Sequence, residues 1–177
     1  MLDEIIKNKH REIAQLKSSL DISKIDLSSI KKPFYKTLLA RQNSKKNSII
    51  AEIKKKSPSK GILSNDLDVS KKAKEYEEGG ASCLSVLTEK DYFNGAVDDL
   101  LVAKRSVSLP VLRKDFIIDP LQVYESKMIG ADCILLIASA LSDKLFEELY
   151  SLAISLDLDV LAEVHDKQEL DFVRSLD

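Results

Sequence analysis

Apolar and polar residues follow each other along the chain in two different rhythms. Over residues 2–20, apolar side chains recur every three or four positions with charged residues between them, a spacing typical of an amphipathic helix. Residues 21–33 are polar and irregular, a short helix is predicted from Phe34 to Gln42, and a polar loop follows over 43–47. We therefore treat residues 1–47 as a helical extension that precedes the main body of the protein.

In residues 48–177, apolar runs of strand length alternate with helical patterns. The predicted strands cover 48–54, 82–88, 110–116, 133–138 and 159–164, and the predicted helices cover 68–79, 97–107, 120–129, 142–156 and 166–176. Gly79 and Gly130 stand where helices should end, and Asp119 and Ser142 stand where helices should begin. Strands that alternate with helices indicate βαβ crossovers and a parallel sheet, so the predicted fold class is α/β.

Charged residues interrupt the apolar strands at their carboxyl ends. They are Glu52 and Lys54 on the first strand, Lys114 and Asp115 on the third, and Glu163 and His165 on the fifth. Catalytic groups contributed by the ends of several strands are the pattern of the (β/α)8 TIM barrel. The segment SPSKG after the first strand matches neither G-x-G-x-x-G nor a P-loop, so nucleotide-binding folds lose their main support. Since a complete barrel has eight units, residues 48–177 are predicted to form strands one to five of an incomplete barrel.

The composition narrows the classes of function. The chain has 177 residues, of which 44% are hydrophobic and 32% charged, and its formal net charge is −2. This charge gives no support for a nucleic-acid partner. The charged amino terminus does not resemble a signal peptide and no long apolar span follows, so we expect a cytoplasmic protein without a membrane partner. Cys83 and Cys133 have no second ligand at metal-binding spacing, so we expect two buried, reduced thiols and no metal.

Glu52, Lys54, Lys114 and Glu163 form the candidate catalytic set. Alternate side chains of a strand share a face, so Glu52 and Lys54 point in the same direction. If the strand faces that carry Lys114 and Glu163 point into the barrel, all four side chains meet at its mouth. A desolvated lysine can approach the pKa of a general acid, and a partly buried glutamate that of a general base. The alternative is a structural ion-pair network that closes the top of the core. His165 is predicted to stand in solvent where the last helix begins.

Five segments occur in the order and approximate spacing of one known family: IIAEIKKKSPSKG, LSVLTEKDYFNGAVDDL, LPVLRKDFIIDPLQVYES, GADCILLIASAL and LAEVHD. They resemble the strand–loop motifs of indole-3-glycerol phosphate synthase, a (β/α)8 barrel lyase of tryptophan biosynthesis. The extension, with its segment KKPFYKTLL, is similar to the part of that family that covers the catalytic face of the barrel. The resemblance implies that 1-(2-carboxyphenylamino)-1-deoxyribulose 5-phosphate undergoes ring closure, decarboxylation and dehydration to indole-3-glycerol phosphate. It implies no metal and no organic cofactor.

The resemblance also implies roles for individual residues. Lys114 corresponds to the acid that protonates the developing alkoxide, Glu163 to the base, and Lys54 to a second acid that also contacts phosphate or carboxylate. Glu52 would orient the lysines and balance their charge. The expected substrate-binding residues include Ser57, in the loop after the first strand. Phe93 and Phe116 are expected as walls for the anthranilate ring, and Leu135 and Ile137 as its floor. Ser57 fits an ordinary polar turn equally well, and the apolar positions also fit simple core packing.

The chain departs from the family's pattern after the fifth unit, where the family carries further strands and its phosphate-binding loops. We expect the 177-residue chain to be weakly active or inactive alone, because its grip on phosphate would be incomplete. Unpaired strand edges invite pairing with another chain, so we also expect self-association. Two alternatives stay open at this point: another phosphate-binding barrel such as phosphoribosylanthranilate isomerase, and a non-catalytic half-barrel that acts by association.

Overall fold

A computed structural model describes residues 2–22, 31–64 and 66–176, so most of the predicted irregular segment 21–33 lies outside the described residues. The α-helices, α1 to α7 in chain order, are Leu2–Ser19, Phe34–Asn43, Val69–Glu78, Val97–Ser106, Pro120–Met128, Asp143–Ser155 and Lys167–Arg174. The strands, β1 to β7, are Ile50–Ile53, Lys56–Ser57, Gly61–Ile62, Cys83–Leu87, Val111–Lys114, Cys133–Ile137 and Asp159–Glu163. Within these ranges, no helix combines the length and the apolar character that crossing a bilayer requires.

Five of the strands form one parallel sheet in the order β1-β4-β5-β6-β7. The predicted α/β fold with five parallel strands is therefore confirmed. The short strands β2 and β3 form an antiparallel hairpin beyond the end of β1, in a segment predicted as a loop. The sequence pattern missed this hairpin because each of its strands is only two residues long and carries no apolar alternation.

Side-chain caps determine where several helices begin. The side chains of Asp68, Asp119, Ser142 and Asp166 each accept a backbone N–H from the first turn of the helix that follows. Past the end of α5, Gly130 adopts a φ of 77°, a conformation that favours glycine. The predicted bounds of the helices and of the five sheet strands agree with the structure to within two residues at each end.

The two faces of the sheet carry different apolar clusters. On the outer face, Leu84 and Val86 of β4 belong to a core shared with α3 and α4. On the inner face, Cys83 packs with Leu112 and Cys133. Burial raises the pKa of the Cys83 thiol to about 12, so this thiol stays protonated at neutral pH. The predicted burial of both thiols is confirmed.

Helix α2 closes the amino-terminal end of the sheet. Its first residue, Phe34, is only 2% exposed and packs into the inner-face cluster. The chain leading into α2 is fixed to the starts of two strands, because Asp132 accepts the Lys32 N–H at 2.7 Å and Asp159 accepts the Tyr35 N–H at 3.0 Å. Phe34 therefore acts as an apolar plug for this end of the sheet.

Helix α1 lies at the opposite, carboxyl-terminal end. Lys9 is 2% exposed, and its Nζ pairs with a carboxylate oxygen of Asp115 at 2.8 Å, just beyond the end of β5. Asn8 donates a hydrogen bond to Asp91, which follows β4, at 3.1 Å. The two helices of the extension thus lie at opposite ends of the sheet, and only α1 lies over the ends that carry the charged residues.

The Asp115 carboxylate is the centre of a buried polar network. It pairs with Arg113 at 3.3 Å and accepts a hydrogen bond from Thr88 at 2.5 Å, in addition to its contact with Lys9. Burial alone would raise the pKa of Asp115, but the charges of Arg113 and Lys9 outweigh this effect and hold that pKa below its ordinary value. Burial likewise acts to lower the pKa of Lys9, and the Asp115 charge reverses this, so the pKa of Lys9 is raised.

Replacing Phe34 with Ala should lower the free energy of unfolding by about 3–5 kcal/mol, because the side chain is buried and its loss leaves a cavity. Urea denaturation followed by circular dichroism measures this change. Tyr35→Ala is the matched control, since the neighbouring side chain is 62% exposed and should cost less than about 0.5 kcal/mol. Equal losses in the two variants would contradict the role of Phe34 as a plug.

Replacing Asp115 with Asn should lower the free energy of unfolding at pH 7 by about 3 kcal/mol, because Lys9 and Arg113 lose a buried counter-charge. A carboxylate whose pKa is lowered in the folded state stabilises the fold above its unfolded pKa, near 3.9 for Asp, and this contribution disappears as the pH falls through the folded pKa. The difference between wild type and variant should therefore narrow below about pH 4.

Denaturant melts of both proteins between acid and neutral pH measure this dependence. Asp171→Asn, at an exposed position on α7, is the control and should follow the wild type throughout. A difference between Asp115→Asn and wild type that stays constant down to the lowest pH would show that Asp115 is not ionised in the fold.

Candidate active site

One carboxylate joins two lysines across the carboxyl-terminal end of the sheet. Glu52 of β1 contacts the Lys54 ammonium through one oxygen and accepts a hydrogen bond from Lys114 Nζ at 2.9 Å through the other. The contact with Lys114 spans from β1 to β5 over the intervening strand β4. The three side chains are 28%, 28% and 37% exposed for Glu52, Lys54 and Lys114, so a ligand can reach them.

The electrostatics of this cluster assign a single charge state to Glu52. Partial burial acts to raise its pKa, but hydrogen bonds from Lys114 and Lys54 and their positive charges outweigh burial and lower it. Glu52 is therefore ionised at neutral pH and has no proton to donate. With one carboxylate and two ammonium groups, the cluster keeps one positive charge in excess.

An apolar cavity of about 300 Å³ opens beside Lys114. The rings of Phe93 and Phe116 lie on its wall with centroids 6.4 Å apart. Six of the predicted site residues line it, namely Phe93, Lys114, Phe116, Leu135, Ile137 and Glu163. Lys114 thus contacts both the charged cluster and the apolar cavity, and it connects the two parts of the predicted site.

Glu163, at the end of β7, lies on the rim of this cavity together with His165. A carboxylate oxygen of Glu163 is 3.3 Å from His165 Nε2, and the other ring nitrogen, Nδ1, is 3.7 Å from Glu169. His165 is largely exposed and precedes α7, as predicted. Its spacing of two residues from Glu163 places both side chains on one face of an extended segment, which fits their contact. A neighbouring imidazole can hold or relay a proton at this carboxylate.

Ser57 lies apart from the cavity. It belongs to β2 and is buried, and its Oγ accepts the backbone N–H of Lys60 at 3.2 Å within the hairpin. This contact is the one expected of a turn-forming serine. Glu52, Lys54 and Lys114 are therefore in direct contact, and Lys114 lines one cavity with Glu163 and the apolar residues. Ser57 does not line this cavity.

Carboxylate oxygens of Glu12, Glu89 and Asp91 lie within 4.8 Å of one another, which is the only group among the described residues with the geometry of a metal site. Each carboxylate already has a hydrogen-bond donor: Lys9 for Glu12, backbone N–H groups for Glu89, and Asn8 for Asp91. Acidic groups that are satisfied by protein donors do not require a cation, and we assign no metal to them.

A second cavity of about 610 Å³ lies beneath α1, next to the Asp115 network. Its walls carry lysine, arginine and carboxylate side chains, many of which pair with each other, as Lys9 does with Asp115 and Arg113 with Glu125. This cavity contains none of the predicted site residues. The smaller apolar cavity, which has Lys114 and Glu163 on its lining, is therefore the candidate active site.

Several residues around the site were missed by reasoning from the sequence. Lys9 carried a signal, because it stands four residues from both Ile5 and Ile13 on the buried stripe of α1, where a lysine needs a partner. Glu89 and Leu2 carried none, since no local periodicity indicates that Glu89 is buried beyond β4 or that Leu2 reaches the cavity.

The chain is similar to proteins of one named family. The family model described as indole-3-glycerol phosphate synthase matches residues 2–177. Three curated relatives carry the same description. The protein from Acinetobacter baylyi is 44% identical over 171 residues, covering 97% of this chain and 64% of the relative. The proteins from Polaromonas sp. strain JS666 and Polaromonas naphthalenivorans are 47% and 49% identical over 175 residues, covering 97% of this chain and 66% of each relative.

The chain thus spans just under two thirds of the length of these relatives. The matched region contains every predicted catalytic and substrate-binding residue, since all lie between Glu52 and Glu163. The comparisons confirm the resemblance read from the sequence and set aside phosphoribosylanthranilate isomerase as an alternative. The chain belongs to the indole-3-glycerol phosphate synthase family.

Proposed function

We propose that this chain carries the acid–base site for ring closure of 1-(2-carboxyphenylamino)-1-deoxyribulose 5-phosphate to indole-3-glycerol phosphate. One observation carries the proposal: the Lys114 ammonium is held by Glu52 and also lines an apolar cavity with two aromatic walls. An aromatic ring in that cavity has a proton donor beside it. This is what attack by an aromatic carbon on a neighbouring carbonyl requires.

The reaction divides into steps for which the protein has to supply only proton transfers. The ring carbon that bears the carboxylate forms a bond to the ribulose carbonyl carbon, and Lys114 gives a proton to the oxygen that becomes a hydroxyl. Carbon dioxide then leaves, and its electron pair restores conjugation in the ring. Loss of a proton and of the hydroxyl as water completes the indole. Side chains alone supply these transfers, so the proposal includes no metal and no organic cofactor.

Glu163 is proposed as the base that removes the proton during dehydration, because it lines the same cavity as Lys114. Lys54 is proposed as the second acid and as a contact for the substrate's carboxylate or phosphate. Glu52, being ionised, orients the two lysines and balances part of their charge. The positive charge left over favours a substrate that is an anion.

The apolar side chains are proposed to hold the anthranilate ring, with Phe93 and Phe116 as walls and Leu135 and Ile137 as the floor. Ser57 is proposed as a substrate contact through its place in the hairpin beyond β1, where its Oγ accepts the Lys60 N–H. Residues 1–47 are proposed as an extension of which only α1 shields this end of the sheet, on the strength of Leu2 in the cavity lining and Lys9 on Asp115. The expected cover by the whole extension is corrected for α2, because its Phe34 packs at the amino-terminal end of the sheet. Residues 48–177 would form the partial barrel.

The partner proposed for this site is a small phosphorylated molecule, and the proposed location is the cytoplasm, where the buried thiols would stay reduced. Self-association is a second proposal. The edge strands of the five-stranded sheet, β1 and β7, expose Ile50 at 36% and Leu161 at 37%. These residues favour the alternative that the chain acts by association with another β/α unit, which would pair those edges.

Replacing Lys114 with Ala should lower turnover at least about 100-fold, because general acid catalysis contributes factors of this size or more. The measurement follows the fluorescence of the indole product formed from the carboxyphenylamino-deoxyribulose phosphate substrate. Lys74→Ala, at an exposed position on α3, is the control and should keep the turnover of the wild type.

Because the relatives are longer, the assay is run on the chain alone and on the chain mixed with the separately expressed carboxyl-terminal third of the Acinetobacter baylyi relative. Turnover in either sample that disappears with Lys114→Ala supports an enzyme. Absence of turnover from both wild-type samples would contradict the proposed function. Turnover that survives in Lys114→Ala would contradict the role given to Lys114.

A further inference from the structure

The turn after β4 is organised by one buried carboxylate. Glu89 is 1% exposed, and its two oxygens accept three consecutive backbone N–H groups: Asp91 at 3.1 Å, Tyr92 at 2.8 Å and Phe93 at 3.0 Å. Hydrogen bonds to a charged acceptor are among the stronger ones in proteins, and three of them fix the path of the backbone. The proposed chemistry leaves Glu89 without a role.

The same turn is pressed against the end of β4. The Gly95 N–H donates to the backbone oxygen of Glu89 at 2.8 Å, and a Cβ at position 95 would lie 2.3 Å from the Leu87 oxygen. Only glycine allows this approach. The chain from Glu89 to Gly95 is therefore held at both ends, by the carboxylate at its start and by the close contact at its finish.

This turn carries the aromatic wall of the site. Phe93, whose N–H is bound by Glu89, lines the apolar cavity opposite Phe116. Asp91, the first residue bound, accepts a hydrogen bond from Asn8 of α1 and, through its backbone oxygen, one from Lys56 of the hairpin at 3.3 Å. The position of Glu89 thus influences the wall, the covering helix and the hairpin.

We propose that Glu89 is a positioning residue that acts through Phe93: it presets the aromatic wall so that an anthranilate ring enters a cavity already formed. This inference rests on the proposed function of the same cavity and adds to it the source of the cavity's shape. Preorganisation of this kind raises affinity because the turn is already ordered before the ligand binds, so binding does not include the entropy cost of ordering it.

Glu89→Gln is the informative substitution because it conserves size. A glutamine has a single acceptor oxygen for three N–H groups, and its own NH₂ donors would face N–H groups of the backbone. It also removes a negative charge next to the carboxylates of Glu12 and Asp91, which lie within 4.8 Å, and this relieves repulsion. The variant therefore loosens the turn while part of the loss in global stability is offset.

The probe is 2-aminobenzoate, the aromatic part of the proposed substrate, and its fluorescence is titrated with the full chain. Glu89→Gln should raise its dissociation constant about tenfold. Phe93→Ala should weaken binding to a similar degree, and the double variant should be no weaker than the worse single variant, because both changes remove the same wall. Amide hydrogen exchange should speed up at least about tenfold at Asp91, Tyr92 and Phe93 in Glu89→Gln.

Asp132→Asn is the matched control. Asp132 is also a buried carboxylate that accepts backbone N–H groups, those of Val111 and Lys32 at 2.7 Å each, but at the amino-terminal end of the sheet. It should lower stability and leave the affinity for 2-aminobenzoate unchanged. Should Glu89→Gln fail to fold, Glu89→Asp keeps the charge on a shorter side chain and should shift both readouts in the same direction by less.

The outcomes separate the two proposals. A wild type that does not bind 2-aminobenzoate overturns the proposed function of the cavity, whatever the exchange data are. A wild type that binds it, with unchanged affinity in Glu89→Gln, overturns the role of Glu89. Equal losses of affinity in Glu89→Gln and Asp132→Asn, or fully additive effects of Glu89→Gln and Phe93→Ala, also overturn it.

Discussion

The carboxylate of Asp115 is buried between Lys9 and Arg113. The arrangement of the side chains at the carboxyl-terminal end of the sheet depends on this contact. Burying an ion is costly unless it is paired and hydrogen-bonded, and here the cost is met by two cations and by Thr88. The side chain before Asp115 belongs to Lys114, which points to the opposite side, at Glu52. Anchoring Asp115 therefore also fixes the backbone position from which the side chain of Lys114, the candidate acid, extends.

The two ion-pair systems differ in a way that separates structure from chemistry. The Asp115 network is buried, and each cation in it has a carboxylate partner, including Glu125 for Arg113. The cluster around Glu52 is partly exposed and has two ammonium groups for one carboxylate. Only the second has unbalanced positive charge that a ligand can reach. The Asp115 system is a structural ion-pair network that the sequence did not reveal. The structural alternative read from the sequence concerned other residues, namely Glu52, Lys54, Lys114 and Glu163.

The main elements of the fold were predictable because each depends on a local signal. Apolar runs predicted the five parallel strands, and capping residues such as Asp119 and Ser142 predicted where helices begin. The hairpin at Lys56–Ser57 and Gly61–Ile62 was not predictable, since its strands are too short to show a period. Strand alternation also gave the shared face of Glu52 and Lys54. The meeting of Lys114 with Glu52 depended on the order of the strands, which the barrel pattern suggested but local signals do not encode.

The shape of the cavity could not be predicted for a further reason, which concerns the ends of strands. There the backbone leaves the sheet, and its N–H groups need other acceptors. Buried carboxylates fill this need at both ends: Glu89 beyond β4 holds the turn of Phe93, and Asp132 before β6 holds the segment that leads into α2. An acidic residue in a loop is ordinarily read as solvated. Its burial depends on which N–H groups the chain brings to it, so the wall of the site is specified by tertiary contacts rather than by the aromatic residue alone.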